Sequence, residues 1–183
     1  MQKIYGKDIY FRYVDVSDAE FIYQLRSNKE LSQYIHAATG DVQGQASWIE
    51  KYKEREREGK EHYFIICLLT NEAVGVVRIY DIQKDSFSWG SWIIKKEAPM
   101  FVSIESVIVI YEYAFYHLGF KNCHFEAMKK NASVVRFHRG FGAKVINQNE
   151  DFYYYSISRL GYETSKKKYL KYYKPVVIRE DTQ

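Results

Sequence analysis

One stretch of the chain, residues 87–143, limits the possible folds more than any other part. It alternates β-rich runs with helical patterns, and predicts a strand at 87–94, a helix at 103–118, a strand at 122–128 and a short helix that opens at Asn131. The link between the two strands is long enough for parallel pairing. A loop that leads into a helix N-terminus between strands also offers unpaired N–H groups to a phosphate-bearing ligand.

Further strands are predicted on both sides of this centre. Three successive apolar runs are joined by links too short for parallel crossovers, so they predict an antiparallel meander. A hairpin around Gln148, Asn149 and Glu150 is predicted near the end of the chain. The additional strands are expected at 9–14, 62–69, 73–80, 144–147 and 151–158.

Capping signals place the remaining helices. Ser17 and Glu20 have the spacing of a capping box, and Ser47 and Glu50 repeat it, so helices are predicted from each serine. Gly59 is a plausible stop for the second helix. A basic helix is predicted at 165–173. Together the elements predict an α/β fold with a mixed, mainly antiparallel central sheet flanked by helices.

Composition excludes several classes of protein. The 183 residues suit one domain with a substantial core, and 46% of them are hydrophobic, so the chain is neither disordered nor fibrous. A net charge of +4 without a zinc or helix-turn-helix signature predicts no nucleic-acid partner. Cys67 and Cys123 have no metal-ligand spacing and are expected to be buried thiols. With no signal peptide or membrane span, we expect a cytoplasmic protein without a membrane partner.

The order of the central elements, with Asn131 ahead of a helix that ends at Phe141-Gly142, resembles the GNAT acyltransferases. These enzymes move an acetyl group from acetyl-CoA to an amine. The segments 12–19 and 25–28 are similar to the branch that contains ribosomal-protein N-terminal acetyltransferases and amino-sugar N-acetyltransferases. The resemblance implies one acyltransferase domain over 1–183, with 163–183 as a basic extension. It also implies acetyl-CoA as co-substrate, and no metal.

The expected cofactor loop departs from the family pattern, because residues 95–105 lack the usual glycines and Pro99 has no N–H to offer. The resemblance implies that a backbone N–H of the strand before this loop holds the thioester carbonyl. It also implies that the start of the long helix binds the pyrophosphate and that Asn131 contacts the pantetheine arm. Gly90 indicates a bulge or a close ligand approach, or equally relief of crowding between two tryptophans. The implied acetyl-CoA contacts are Trp92, Ile93, Met100, Phe101, Val102, Ser103, Asn131 and Phe137.

Candidate catalytic residues follow from the same resemblance. His138 lies where many members carry a tyrosine that protonates the departing thiolate, and imidazole can do the same work. The base that deprotonates the amine is expected to be Glu105 or Glu126, with Asp81 as a third candidate. Each of these four residues also has a plain structural explanation.

Acceptor sites in the family are built from the first helices and the central strands. The pattern of the whole chain favours a nucleotide-linked amino sugar as the small-molecule amine acceptor. An N-terminal protein acetyltransferase and a non-catalytic GNAT-like scaffold remain alternatives, and a homodimer is possible. The expected acceptor contacts are Arg26, Asn28, Tyr34, His36, Trp48, Tyr80 and Trp89.

Overall fold

The computed structural model describes residues 2–32 and 40–180. Its strands form one sheet, in which each strand is hydrogen-bonded to its neighbours. The strands of these ranges are β1 (Gln2–Tyr5), β2 (Ile9–Tyr13), β3 (His62–Leu68), β4 (Ala73–Tyr80), β5 (Ser86–Ile94), β6 (Asn122–Met128), β7 (Lys144–Gln148), β8 (Phe152–Ser158) and β9 (Val177–Glu180).

Helices lie on both faces of the sheet. Short 3-10 turns at Val16–Asp18 and Lys167–Tyr172 precede the first helix and follow the last, and a π-helical turn at Tyr113–His117 extends the fourth. The α-helices of the described ranges are α1 (Ala19–Ser27), α2 (Lys29–Ser32), α3 (Val42–Arg57), α4 (Phe101–Glu112), α5 (Ala132–Gly140) and α6 (Arg159–Lys166). None of them combines the length and the apolar character that crossing a membrane requires.

The strand order is β7-β8-β6-β5-β4-β3-β2-β1-β9. Every neighbouring pair is antiparallel except β5 and β6, which are parallel and pair only at Ser86–Asn122 and Phe87–Cys123. Beyond these two pairs the strands separate. We call the resulting gap between residues 88–94 of β5 and 124–128 of β6 the wedge. The predicted mixed, mainly antiparallel sheet is confirmed.

Two separate cores lie on the two faces of the sheet. On the face covered by α4, here the α4 face, the buried side chains include Phe64, Phe87 and Trp89. On the face covered by α1 and α3, here the α3 face, they include Tyr63 and Ile65. Because successive side chains of a strand point to opposite faces, each strand supplies both cores.

The predicted strands of the meander match the structure closely, whereas two helix starts were predicted wrongly. A capping box of Asp15 and Asp18 opens the turn before α1, in place of Ser17. Asp41 caps α3 by accepting from the Gly44 N–H, so Ser47 lies inside that helix. Several residues in each segment have side chains that can cap a helix, and the sequence does not rank them.

The predicted C-terminal helix is also wrong in its bounds, because α6 begins six residues earlier and ends in a 3-10 turn. Lys166 donates to Glu112 of α4 over 2.9 Å, and Tyr162 donates to the same carboxylate over 2.8 Å. Strand β9 then pairs with β1, which was not predicted either. The described part of the basic extension, up to Glu180, is therefore packed into the fold.

Candidate active site

A bulge in β5 determines which side chains face the wedge. The register between β4 and β5 shifts between Val76 and Arg78, and Ser91 has a φ of 47°. The extra residue places Trp89 and Trp92 on one face, with their rings 5.7 Å apart. The Trp92 indole donates to Ser106 of α4 over 3.1 Å. The bulge expected near Gly90 is therefore present, centred on the next residue.

Gly90 itself leaves room for a neighbouring tyrosine. A Cβ atom at this position would lie 2.9 Å from the Tyr80 hydroxyl and 3.3 Å from the Tyr80 ring. The close approach is thus to Tyr80 on the α3 face, and no tryptophan is among the nearest atoms. Glycine at this position leaves the space that the Tyr80 ring occupies beside the bulge.

The wedge exposes two strand edges to a ligand. Strand β5 pairs with β4 on its other side, and β6 pairs along its whole length with β8. From Ser88 on, the edge of β5 that faces β6 therefore has no strand partner within the described residues. Unpaired backbone donors and acceptors of this kind suit an extended chain with amide groups, as the pantetheine arm of acetyl-CoA is.

The start of α4 lies at the open end of the wedge. No side chain caps this helix, so the N–H groups of its first turn are available to an anion. Val102 is an exception among the four predicted amides, because its N–H donates to the Pro99 carbonyl over 3.0 Å and its side chain is fully buried. Met100, by contrast, is 92% exposed. The geometry leaves Met100, Phe101 and Ser103 as the amides for a pyrophosphate.

Helix α5 closes the wedge from the α4 face. Asn131 caps it, because its Oδ1 accepts from the Val134 N–H over 3.3 Å and from the Ser133 hydroxyl over 3.0 Å. The amide nitrogen of Asn131 remains for a ligand. Phe137 packs against Trp92 with ring centroids 5.2 Å apart. Ile93, in contrast, buries its side chain in the core of the α3 face, so that only its backbone can contact acetyl-CoA.

His138 lies within the aromatic wall of the wedge. Its ring centroid is 4.3 Å from that of Phe125 and 5.4 Å from that of Trp89. The side chain is 6% exposed, and its Nδ1 has no hydrogen-bond partner among the described residues. Burial lowers the pKa of His138 from 6.5 to about 4. The imidazole is therefore neutral at pH 7, which weighs against its predicted role as a protonated acid.

Glu105 has a structural role in the described geometry. Its Oε1 accepts from the backbone N–H groups of Lys7, Asp8 and Ile9, at 2.6, 2.7 and 3.1 Å. Glu105 is fully buried, and burial raises its pKa although these three donors act in the opposite direction. Because its carboxylate holds the turn between β1 and β2, this residue is a poor candidate for the general base.

The other two candidate bases lie on or beside the α3 face. Glu126 alternates with the buried Phe125 and Ala127 of β6, so it points to the α3 face and is exposed. Asp81 follows β4, with a φ of 47°, and its carboxylate contacts a histidine of β6. The structure therefore brings these two carboxylates to one face, while Glu105 lies on the other.

Arginines and aromatic rings form a continuous surface on the α3 face. Trp48 stacks on Tyr52 and is flanked by Arg55 and Arg78, each with its guanidinium 5.5 Å from the indole centroid. Arg78 also lies 4.8 Å from the Tyr80 ring. We call this group of five residues the arginine–tryptophan surface. Its Trp48 and Tyr80 were predicted acceptor contacts.

The remaining predicted acceptor residues are placed differently. Arg26 lies near the buried Tyr63 hydroxyl beside this surface, and Tyr63 has its pKa raised by burial. Asn28 caps α2 by accepting from the Glu30 N–H over 3.0 Å. Trp89 lies on the α4 face, 5% exposed, and does not join the others. The predictions for Tyr34 and His36 lie outside the described residues.

A pocket of about 510 Å³ separates α1 and α2 from the end of β5. Lys95 and Lys96 lie on its β5 side, and Phe21 and Asn28 on its helical side. Lys96 pairs with Glu30 across it over 3.2 Å, and both side chains are highly exposed. The two lysines supply positive charge close to the open end of the wedge.

Sequence reasoning missed the arginines of the arginine–tryptophan surface. Arg78 interrupts a strand that is otherwise apolar, and this signal was available. Its Nε is buried with no hydrogen-bond partner among the described residues, and its Nη1 lies 3.8 Å from Glu61. The side chain as a whole is 20% exposed, and a partly exposed guanidinium is suited to an anionic ligand. Within the same ranges, no cluster of three or more potential ligands is suited to a metal ion.

Comparisons with known proteins agree with this geometry. The sequence matches the model of the GNAT acetyltransferase domain over residues 8–144. The structure is similar to that of apo FdhC, a nucleotide-linked sugar GNAT, with 39% identity, a TM-score of 0.86, and coverage of 94% of this chain and 98% of that chain. A search of curated proteins gives no match.

Two other solved structures share the fold at lower identity. One is the ribosomal-protein-S5-alanine acetyltransferase from Vibrio fischeri, with 13% identity, a TM-score of 0.73, and coverage of 85% of this chain and 96% of that chain. The other is spermidine N-acetyltransferase from Vibrio cholerae in complex with CoA and spermine. Its sequence identity is 18%, its TM-score is 0.72, and the match covers 85% of this chain and 98% of that chain. The family match and the wedge together show that the chain belongs to the GNAT acetyltransferases and is an N-acetyltransferase.

Proposed function

We propose that the protein transfers an acetyl group from acetyl-CoA to the primary amine of a nucleotide-linked amino sugar, by direct attack of the amine on the thioester. One observation carries the proposal. The same strand, β5, borders an open wedge suited to an acyl-CoA on one side and lies against the arginine–tryptophan surface on the α3 face. Donor and acceptor would then meet across β5.

The donor half of the site fits acetyl-CoA. Free N–H groups at the start of α4 and the nearby Lys95 and Lys96 suit its pyrophosphate, and the open edge of β5 suits its amide-containing arm. The missing loop glycines do not remove these groups. Because the pyrophosphate end is fixed at the open end of the wedge, the acyl end points toward the apex, where β5 and β6 pair at Phe87 and Cys123.

The leaving group needs little acid help. A thiol has a pKa of ~8.5, so a thiolate departs readily at pH 7. His138 is neutral there, since burial holds its pKa at about 4. Most of the rate then comes from holding the amine beside the thioester in a water-poor site.

The acceptor half suits a molecule with a base, two phosphates and a sugar. Trp48 offers a half-buried indole, and the guanidinium groups of Arg55 and Arg78 each lie 5.5 Å from its centroid, where both also contact Glu61. Arginine pairs bidentately with phosphate oxygens, and the partly exposed guanidinium groups of Arg55 and Arg78 supply such donors. The similarity to a structure described as a nucleotide-linked sugar GNAT supports the same class of acceptor.

The test has two stages. Calorimetric titration with acetyl-CoA and with free CoA is expected to show micromolar binding. Thiol release is then measured with nucleotide-linked amino sugars, with the same sugars lacking the nucleotide, and with N-terminal peptides. We expect turnover with the nucleotide-linked amines alone. Faster turnover with peptides would favour an N-terminal protein acetyltransferase, and an absence of acetyl-CoA binding would favour the scaffold alternative.

A substitution on the arginine–tryptophan surface sharpens the assignment. Arg78→Lys keeps the charge but loses the planar fork, so KM for the nucleotide-linked amine is expected to rise about 10-fold to 100-fold, with acetyl-CoA affinity unchanged. Arg57→Lys, at an exposed position of α3, is the matched control and is expected to behave as wild type. Equal KM values for the two variants would contradict the proposed acceptor site.

A further inference from the structure

A serine of β5, a histidine of β6 and an aspartate that directly follows β4 meet at the apex of the wedge. The Ser86 hydroxyl lies 2.6 Å from Nδ1 of His124, and Nε2 of His124 lies 2.9 Å from the Asp81 carboxylate. The Gln83 amide is 3.4 Å from the same Nε2. We call Asp81, His124 and Ser86 the relay.

The nearest partner of each nitrogen of His124 determines which one carries the proton, since the Gln83 amide nitrogen, at 3.4 Å, is a more distant neighbour of Nε2 than Asp81. A carboxylate only accepts hydrogen bonds, so Nε2 donates its N–H to Asp81. Nδ1 is then left with its lone pair and accepts from the Ser86 hydroxyl. An imidazole held in this tautomer is a base whose free lone pair already points at an exchangeable proton.

The backbone holds Asp81 in a conformation that few residues adopt. Its φ of 47° lies in the left-handed region, where non-glycine residues are uncommon. Asp81 is more than half exposed, with 58% of its side chain accessible, so burial does not force the contact with His124. Such local strain is typical of positions where the placement of a side chain has a function.

The relay faces the same way as the arginine–tryptophan surface. Cys123 and Phe125 bury their side chains on the α4 face, so His124, between them, points to the α3 face. Phe87 is likewise buried on the α4 face, so Ser86 points to the α3 face together with Gly90, four residues further along β5. The relay therefore lies on the acceptor side, at the end of the wedge toward which the acyl group points.

The groups around the relay leave it open to solvent and to an amine. Ser156 of β8 lies opposite His124, and Glu126 is the next residue of β6 on this face, opposite Tyr154. Lys121 pairs with Asp85 over 3.1 Å near the start of the two strands. The His124 side chain is 27% exposed. No hydrogen bond from a cation to the relay occurs among the described residues, so no fixed positive charge competes for the proton.

The geometry points to His124 as the general base of the acetyl transfer, oriented by Asp81 and reached through the Ser86 hydroxyl. This role rests on the proposed function, because it needs an amine acceptor on the α3 face. In this inference His124, and not Glu105 or Glu126, removes the proton that makes the amine nucleophilic. Asp81 acts as a positioning residue.

The proton transfers balance as follows. The acceptor ammonium gives one proton, through ordered water, to Oγ of Ser86, while the Ser86 hydroxyl proton moves to Nδ1 of His124. The freed amine pair forms the C–N bond, and the C–S bond breaks with its electrons on sulfur. The second proton of the nitrogen goes to the thiolate to give CoA thiol. The imidazolium releases its proton to solvent, so that one proton is released per acetyl group transferred.

The test compares His124→Gln with wild type over a range of pH. We expect kcat to fall about 100-fold at pH 7, as for other general bases, and the deficit to shrink as pH rises toward the pKa of the free amine. Asp81→Asn and Ser86→Ala are expected to show smaller deficits with the same pH trend. His117→Gln, at an exposed histidine beyond α4, is the matched control and is expected to match wild type.

Acetyl-CoA affinity and the thermal unfolding midpoint of each variant show whether the site is intact. A deficit that is constant with pH, or no deficit, would overturn the role of His124. An acetyl adduct on Ser86 in the intact mass spectrum would overturn it as well, because Ser86 would then be a nucleophile.

A second measurement separates this inference from the proposed function. If wild type releases no thiol with any nucleotide-linked amine, the proposed function fails. Long-range proton–nitrogen NMR of the histidines then still tests the relay. A single Nε2–H tautomer of His124 that is lost in Asp81→Asn is expected, and a mixture of tautomers in wild type would overturn the relay.

Discussion

Tryptophan side chains lie on both faces of the sheet at β5, but their surroundings differ. On the α4 face, Trp89 and Trp92 are packed among other rings and make the wall of a narrow apolar wedge. On the α3 face, Trp48 lies 5.5 Å from each of two guanidinium groups and stays half-buried. In the proposed function, the first environment would hold a thioester away from water, whereas the second would offer charge to a phosphate. The wedge and the arginine–tryptophan surface therefore differ in exposure and charge, although both contain tryptophan.

The largest expected difference between the two faces is in stability. Trp89→Ala removes a side chain that is 5% exposed, and is expected to lower the free energy of unfolding by about 3–5 kcal/mol. Trp48→Ala, at a half-buried position, is expected to cost about 1–2 kcal/mol but to raise the acceptor KM. Urea unfolding followed by circular dichroism measures the first effect. Equal losses in the two variants would remove the contrast.

The wedge is also expected to be the pH-sensitive side. The unfolded chain protonates His138 near pH 6.5, and the folded chain only near its pKa of about 4. Titration of His138 therefore leaves the free energy of unfolding unchanged above pH 6.5. As pH falls from 6.5 to about 4, it lowers the free energy of unfolding by about 3 kcal/mol in total. His138→Leu is expected to flatten the stability curve in this window.

In His138→Leu, the free energy of unfolding is still expected to fall with pH, but less steeply, because burial also lowers the pKa of His62. Unfolding free energies from pH 4 to pH 8 measure both curves. Parallel curves for wild type and His138→Leu would show that His138 is not the group whose titration links folding to pH.

The β5 bulge lies between the wedge and the arginine–tryptophan surface. Adding one methyl group at Gly90 tests whether its geometry matters for the acceptor. A Cβ atom at residue 90 would meet the Tyr80 hydroxyl at 2.9 Å, so Gly90→Ala is expected to displace the Tyr80 ring. We expect the acceptor KM to rise about tenfold, equivalent to about 1.4 kcal/mol, with unchanged acetyl-CoA affinity. Gly161→Ala, whose nearest atom would be 3.4 Å away, is the control. A change in acetyl-CoA affinity alone would place the effect in the wedge.

The smallest effect concerns Asn131, which has a structural and a binding role in this account. Asn131→Ala is expected to cost about 1 kcal/mol because the cap of α5 is lost. Asn131→Ser keeps a capping oxygen but lacks the amide nitrogen, so its stability is expected to hold while acetyl-CoA binding weakens. Calorimetry on both variants separates the roles. Unaltered binding in both would leave Asn131 with the cap alone.

Local patterns were sufficient where neighbours along the chain decide the structure. The strands β4 and β6 were predicted with their observed bounds, and β5 to within one residue, because alternation and turn residues mark both ends. The caps of α1 and α3 were missed where Asp15 and Asp41 compete with nearby serines. The short strands β1 and β9 carry weak patterns of their own and are stable only because they pair across the sheet.

The sequence by itself determined the order of the elements, the family and most of the residues that line the wedge, because these follow from local patterns and spacing. The tertiary structure alone decided which side chains meet. It placed Trp89 and Arg78 on opposite faces, gave Glu105 to a backbone turn, and brought Asp81, Ser86 and His124 together across 43 residues of sequence. Strand pairing and the β5 bulge set these contacts, and both depend on parts of the chain that are distant in sequence.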